Sequence, residues 1–175
     1  MERLSIITHS SDKPDELINY FKDDLTMITE PMPILLVEDN ENDVLLIKRA
    51  FRKAKIVPSM SIVSDGDEAI AYLSKTGKYA DSQKYPIPLL ILLDLKLPRR
   101  SGLEVLAWIR QQPHLKHLLV VVLTSSQENY DLNQAYELGV NSYLVKPVYF
   151  QDLVTLIELI DTYWLKTNKT PNCSS

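Results

Sequence analysis

Only one cysteine stands among the 175 residues, Cys173, in the polar stretch Asn172-Cys173-Ser174. It has no partner within the chain. That excludes a disulfide framework and fits a reducing, cytoplasmic compartment. Long hydrophobic runs are missing too. The longest, Leu118–Leu123, falls far short of the roughly 20 apolar residues a membrane span needs. Met1 to Ser10 holds no apolar stretch ahead of a small-residue cleavage site, so no signal peptide is expected. A basic run is also absent. Of the 23 acids and 19 bases, residues 1–32 hold seven and three, which leaves 16 of each in the remainder. The body is neutral, with no charge pattern for a nucleic-acid surface. Neither nucleic acid nor membrane is expected as a partner, and no internal repeat or low-complexity segment is present.

What is there is a series of short aliphatic runs. Hydrophobic content is 45% and charged content 24%, as in an ordinary globular domain. The run Leu89-Leu90-Ile91-Leu92-Leu93 ends in Asp94. Unbroken aliphatic runs of this length mark strands buried on both faces or short buried helix segments, and the flanking Pro88 and Pro98 favour a strand. Pro33 to Val37 repeats the pattern, ending in Glu38-Asp39, with Asn40 as a cap for a helix over Glu41 to Lys55. Val44, Leu45, Ile47, Ala50 and Phe51 are that helix's apolar face. Ser59 to Val63 reads as a short strand, Asp65-Gly66 as a turn, and Asp67 to Ser74 as a second helix. Thr76 to Pro88 reads as a long polar surface connector. Pro98 to Gly102 is a turn, and Leu103 to Gln112 a third helix stopped by Pro113. Leu118 to Leu123 is the fourth strand, ended by Thr124-Ser125-Ser126. Gln127 to Leu138 is the fourth helix, capped by Gly139. Asn141 to Val145 is the fifth strand, and Tyr149 to about Lys166 the last helix.

Strand and helix thus alternate five times. The pattern implies right-handed crossovers and an α/β three-layer sandwich around a parallel five-stranded sheet, commonly of flavodoxin-like order 2-1-3-4-5. The body runs over residues 33–166, with a flexible tail at 167–175. Residues 1–32 read as an amphipathic helix over Lys13 to Leu25, as a disordered acidic leader, or as sequence preceding a true start at Met32.

Four of the five strands end in polar residues at one edge: Glu38-Asp39, Asp94, Thr124-Ser125 and Lys146-Pro147. In open parallel sheets that edge is where ligands bind. Strands 1 and 3 are neighbours in the expected order, so Asp39 and Asp94 should face one another. Close carboxylates repel unless a cation joins them. Oxygen donors without His or Cys suit Mg²⁺ rather than zinc. Lys146 and the Thr124 hydroxyl are placed to hold phosphoryl oxygens, and an Asp carboxylate can itself be the nucleophile in phosphoryl transfer. Each residue alone has a bland reading as a helix cap or solvated side chain; the conjunction does not.

The stretches Ile34-Leu-Leu-Val-Glu-Asp-Asn40, Leu92-Leu-Asp-Leu-Lys-Leu-Pro98, Val121-Val-Leu-Thr-Ser125 and Tyr143-Leu-Val-Lys-Pro147 resemble the CheY-like receiver domain of bacterial response regulators over residues 33 to about 166. The resemblance implies that Asp94 is the phosphoacceptor. It implies that Glu38 and Asp39, with Asp94 and the Lys96 backbone carbonyl, hold Mg²⁺. Thr124 and Lys146 would sense the phosphoryl group, Tyr143 would be an aromatic switch turning inward with Thr124, and the Lys146-Pro147 peptide would be cis. The chain would then be a stand-alone receiver rather than an enzyme acting on other molecules. It would catalyse only its own phosphorylation and dephosphorylation, and act by docking or as a phosphorelay intermediate. The connector and the Tyr163-Trp164-Leu165 end of the last helix are similar to the small response regulators that serve cyanobacterial and bacterial phytochromes, so a phytochrome-type sensor histidine kinase is the expected partner. A small haloacid dehalogenase-type hydrolase would need a second Asp where Lys96 stands. A flavodoxin would need a phosphate-cradling loop where residues 38–42 carry acids.

The last helix carries a broad apolar arc. Leu153, Ile157, Ile160 and Trp164 form one stripe, and Leu156, Leu159 and Tyr163 a second. Packing on one sheet needs an arc of only about 100°. The second stripe, beside Tyr130 and Tyr136 of the fourth helix, reads as part of a helix set deeply in the monomer, as scattered surface apolars at Leu159 and Tyr163, or, as expected here, as a homodimer contact through the fourth helix, fifth strand and fifth helix.

Overall fold

The computed structural model describes residues 32–169. The three readings of the leader and Cys173 concern residues outside them. Five strands, β1 (Pro33–Val37), β2 (Ser59–Val63), β3 (Leu90–Leu93), β4 (Leu119–Thr124) and β5 (Ser142–Val145), form one parallel sheet of order β2-β1-β3-β4-β5. The helices α1 (Glu41–Lys53), α2 (Gly66–Leu73), α3 (Gly102–Gln111), α4 (Asn129–Glu137) and α5 (Phe150–Ile160) connect and follow them. The expected fold is the one adopted, with boundaries shifted by one or two residues.

Alternation of side chains along each strand builds a core on either face of the sheet. Leu35, Val37, Ile91, Leu93, Val120 and Val122 point to the side covered by α2, α3 and α4. Ile34, Leu36, Leu90, Leu92, Val121 and Leu123 point to the side covered by α1 and α5. Both faces of β3 and β4 are buried throughout, which is why both are aliphatic up to the terminal Thr124 of β4. On α1, Ile47, Ala50 and Phe51 are buried. Leu45, expected on that face, is instead exposed, because its position on the wheel points away from the sheet.

Two segments differ from expectation. The connector 76–88 is not merely a polar surface loop. It holds a short 3₁₀ turn, Gly77–Tyr79, and its Tyr79 is buried against Tyr72 and Tyr85, with ring centroids 5.0–5.9 Å apart. The Tyr72 hydroxyl donates to the Pro86 carbonyl at 2.9 Å, and the Lys75 ammonium donates to the Tyr85 carbonyl. Tyrosine rings carry apolar area that a reading of the loop as polar overlooks. The last helix also changes pitch: α5 passes at Asp161 into a π-helical turn that runs to Thr167. The wider turn puts Leu165, in neither expected stripe, into the core, while Trp164 packs against it only half-buried. Asp161 is buried and pairs with Lys166 five residues on, the spacing a π turn brings together.

Candidate functional site

The polar residues at the carboxyl edge of the sheet are brought together by strand register. Val37 and Leu93 are paired across β1 and β3, and the Asp94 N–H continues that ladder to the Val37 carbonyl at 3.0 Å. Glu38, Asp39 and Asp94 therefore emerge side by side, each offering a carboxylate oxygen within 4.8 Å of the others. Glu38 and Asp94 are buried, and Asp39 is exposed. On the other flank, the Lys146 N–H bonds to the Thr124 carbonyl at 2.8 Å, extending the β4–β5 pairing by one residue. The Lys146 side chain then turns back over the acids.

Asp94 is held from two directions. Its Oδ1 accepts from the Leu95 N–H at 2.6 Å and the Lys96 N–H at 3.3 Å, and its Oδ2 accepts from the Lys146 ammonium at 2.9 Å. Burial opposes its ionisation. The Thr124 hydroxyl, the Lys146 ammonium and the Lys96 N–H outweigh burial and hold the carboxyl below its ordinary range. Glu38 behaves differently: burial dominates over its Lys146 contact and pushes it up to about 6. The Lys146 ammonium, despite burial, is held well above its usual range by hydrogen bonds to Asp43, Glu38 and Asp94, at 2.7, 2.6 and 2.9 Å. The site is thus an ionised carboxylate, a second carboxylate that is costly to ionise, and a lysine shared among three acids.

The glycine that permits this arrangement is Gly102, at the start of α3. A Cβ there would run into the backbone of Asp94 and Leu95. The α3 amino terminus is closed by a capping box between Ser101 and Glu104.

Thr124 is buried, and its Oγ1 accepts from the Ser126 N–H at 3.3 Å. Tyr143 is half-buried, with its hydroxyl donating to the Ser126 carbonyl at 3.1 Å. The Lys146-Pro147 peptide, expected to be cis, is trans. No cis bond occurs among the described residues, and the ordinary trans preference of an X-Pro bond, about 0.5–1 kcal/mol, prevails.

Two participants were not foreseen. Asp43 reaches Lys146 from the first turn of α1; an acid there reads from sequence as a helix-dipole residue. Asp131, in the first turn of α4, is buried. It accepts from the Ser126 hydroxyl at 2.6 Å and pairs with the Lys96 ammonium at 2.8 Å. Nothing in its spacing announces that role.

Glu38, Asp39 and Asp94 are hard oxygen donors with no nitrogen or sulfur ligand among them, a set suited to a divalent ion of the Mg²⁺ or Mn²⁺ kind.

A family profile described as the response regulator receiver domain matches residues 34–158. The chain is 43% identical to the response regulator Rcp1 of Synechocystis sp. over 141 residues, which are 81% of this chain and 94% of that protein. Among solved structures, the phosphorylated cyanobacterial phytochrome response regulator RcpA aligns at 40% identity with a TM-score of 0.75, covering 81% of this chain and 99% of that one. The Mn²⁺-bound form of Rcp1 aligns at 42% identity with a TM-score of 0.72 over the same shares. No helix among the described residues is long and apolar enough to cross a membrane.

Proposed function

Given that this chain belongs to the response regulator receiver domain family, we propose that Asp94 takes a phosphoryl group from a sensor histidine kinase of the phytochrome type. The observation that carries the reading is the ionised, buried Asp94 carboxylate, hydrogen-bonded to Lys146 and flanked by Glu38 and Asp39. An Asp94 oxygen attacks phosphorus, the phosphorus–nitrogen bond of a phosphohistidine breaks, and the imidazole leaves with the electron pair. Lys146 moves from the Asp94 carboxylate to a phosphoryl oxygen, and the Thr124 hydroxyl donates to another. Glu38, Asp39, Asp94 and the Lys96 backbone carbonyl would hold Mg²⁺. When bound, the ion neutralises charge on the phosphoryl oxygens and on the crowded acids. The phytochrome partner is supported by the similarity to the cyanobacterial phytochrome response regulator RcpA.

The output is a change in protein contacts. A phosphoryl group adds roughly −1.5 to −2 charges at one point, and the segment after Thr124 answers it, with Tyr143 turning inward. Leu159, Tyr163, Tyr130 and Tyr136 are all more than half exposed, which supports a homodimer through α4, β5 and α5. Sedimentation of the parent and of Leu159→Glu tests it: a dimer that the charge dissolves is expected, and a monomer with and without beryllofluoride would contradict it.

The test of the main reading is phosphotransfer from a phytochrome-type kinase to the parent and to Asp94→Asn. Magnesium-dependent labelling is expected for the parent alone; labelling of the variant to the same extent would reject the assignment.

A further inference from the structure

The loop that follows Asp94 and the loop that follows Thr124 are tied by one ion pair. Lys96, two residues beyond Asp94, extends its ammonium to Asp131 on α4 at 2.8 Å. The same Asp131 oxygen accepts from the Ser126 hydroxyl at 2.6 Å. Ser126 in turn holds the rest of its loop. Its N–H donates to Thr124 Oγ1 at 3.3 Å, its Oγ accepts from the Glu128 N–H at 3.4 Å, and its carbonyl accepts from the Tyr143 hydroxyl at 3.1 Å. Glu128, the residue preceding α4, makes no side-chain cap. Residues 125–128 therefore rest on Ser126, and Ser126 rests on a buried carboxylate whose cation comes from the other loop.

We propose that the Lys96–Asp131 pair is a latch that holds residues 125–128 in their resting position, so that Lys96 is a positioning residue for the switch as well as the carrier of a backbone metal ligand. The inference rests on Asp94 being the phosphoacceptor. The physical argument is one of competing anions. The Lys96 side chain is 54% exposed and its backbone N–H is 3.3 Å from Asp94 Oδ1, so it lies beside the place where new negative charge arrives. The Asp131 side chain is only 8% exposed. While Lys96 stays on Asp131, that carboxylate is satisfied and keeps Ser126, with the Tyr143 hydroxyl on its carbonyl. Drawing Lys96 toward a phosphoryl dianion leaves Asp131 buried with Ser126 alone. The resting loop is then the less stable arrangement, and Thr124 is freed to approach the phosphoryl group. The latch therefore opposes phosphoryl binding in the resting chain and is weakened by it.

The test is a beryllofluoride titration of the full chain in the presence of Mg²⁺, followed by NMR of the Ser126 amide, for the parent, Lys96→Met, Asp131→Asn, the double variant and Lys96→Arg. Lys96→Met keeps the backbone carbonyl, and Asp131→Asn is isosteric, so the two variants remove the pair from opposite ends. Asp131→Asn is expected to bind beryllofluoride about two- to fivefold more tightly, the range a half-exposed ion pair supports, and Lys96→Met, which also loses the ammonium drawn to the new charge, should gain less. The double variant should bind no more tightly than either single, and Lys96→Arg should behave as the parent. Unchanged affinity in the single variants, additive gains in the double, or weaker binding by Lys96→Met would each overturn the latch while leaving Asp94 as the acceptor. Failure of the parent to bind beryllofluoride would overturn both.

Discussion

Two loops leave the carboxyl edge of the sheet on either side of the candidate phosphoryl site, and they are built by different means. The loop after β3, residues 94–101, is locked. Asp94 Oδ1 takes two backbone N–H groups, Gly102 N–H bonds to the Leu95 carbonyl at 3.0 Å, and α3 begins in a capping box. Arg99 and Arg100 pin the loop to Asp65, the cap of α2, and Asp67 in its first turn, at 3.2 and 3.0 Å. The loop after β4, residues 125–128, is held mostly by side chains: Thr124, Ser126, Asp131, Tyr143 and Lys96, beside one backbone bond from the Leu132 N–H to the Glu128 carbonyl. A phosphoacceptor must be presented in one geometry, whereas a responder needs two positions of similar free energy. Backbone hydrogen bonds and close glycine packing serve the first purpose, and a few polar side-chain contacts serve the second.

Breaking the locked loop should have the largest effect. Gly102→Ala forces a methyl group against the Asp94 and Leu95 backbone and is expected to cost about 3 kcal/mol in urea unfolding, at the upper end of overpacking costs. Phosphorylation by acetyl phosphate should fall with it. Full stability would show that the turn at 94–102 is looser than its contacts imply.

Lys146→Met separates presentation from response. The charge-assisted bonds of Lys146 to Asp94, Glu38 and Asp43 are lost. Labelling of Asp94 should slow by about tenfold or more, as removal of one such bond, worth roughly 1.5–3 kcal/mol, implies. The label that does form should leave the Ser126 amide shift of the parent unreproduced. A normal rate with a normal Ser126 response would remove Lys146 from both roles.

Glu38 gives a pH signature at the same edge. Its folded-state pKa of about 6 lies above the ordinary 4.5. Between these values the folded chain binds the proton more tightly than the unfolded chain does. Stability from this group is therefore fully present below pH 4.5 and is lost as pH rises through about 6. In metal-free buffer the parent should lose about 2 kcal/mol across that window relative to Glu38→Gln. Parallel pH profiles for the two proteins would contradict this.

The smallest effect is expected at Arg99. Its ion pair with buried Asp65 is largely exposed on the arginine side, and Arg99 itself sits at a left-handed φ of 63°. Arg99→Ala should cost no more than about 1 kcal/mol in thermal or urea unfolding and leave Asp94 labelling unchanged. A large loss of labelling would mean that the outer clamp, not the backbone bonds at Asp94, sets the acceptor's geometry.

How far these loops could be read from sequence follows the same division. The sheet order was legible because β3 and β4 are buried on both faces and so had to be aliphatic, and because their polar ends then fall at one edge. Glu38, Asp39, Asp94, Thr124 and Lys146 were visible for that reason. Asp43 and Asp131 were not. Each is one acid in a helix's first turn, where capping and dipole effects already account for acids, and only the turn of a distant lysine gives it another use. The pitch change at Asp161 escaped the wheel for a related reason. A regular 100° step puts Trp164 beneath Ile160, but the wider turn puts Leu165 there. The burial of Tyr79 within the connector was hidden by counting tyrosines as polar, although Tyr85 packs edge to face on both Tyr72 and Tyr79.

The most direct measurement is mass spectrometry of the full chain after incubation with acetyl phosphate and Mg²⁺, with peptide mapping of the label. The expected result is one phosphoryl group per chain, on the peptide that contains Asp94, absent from Asp94→Asn and absent when the metal is chelated. A label on any other residue, or an equal yield in Asp94→Asn, would contradict the assignment of this edge as a phosphoryl-accepting site.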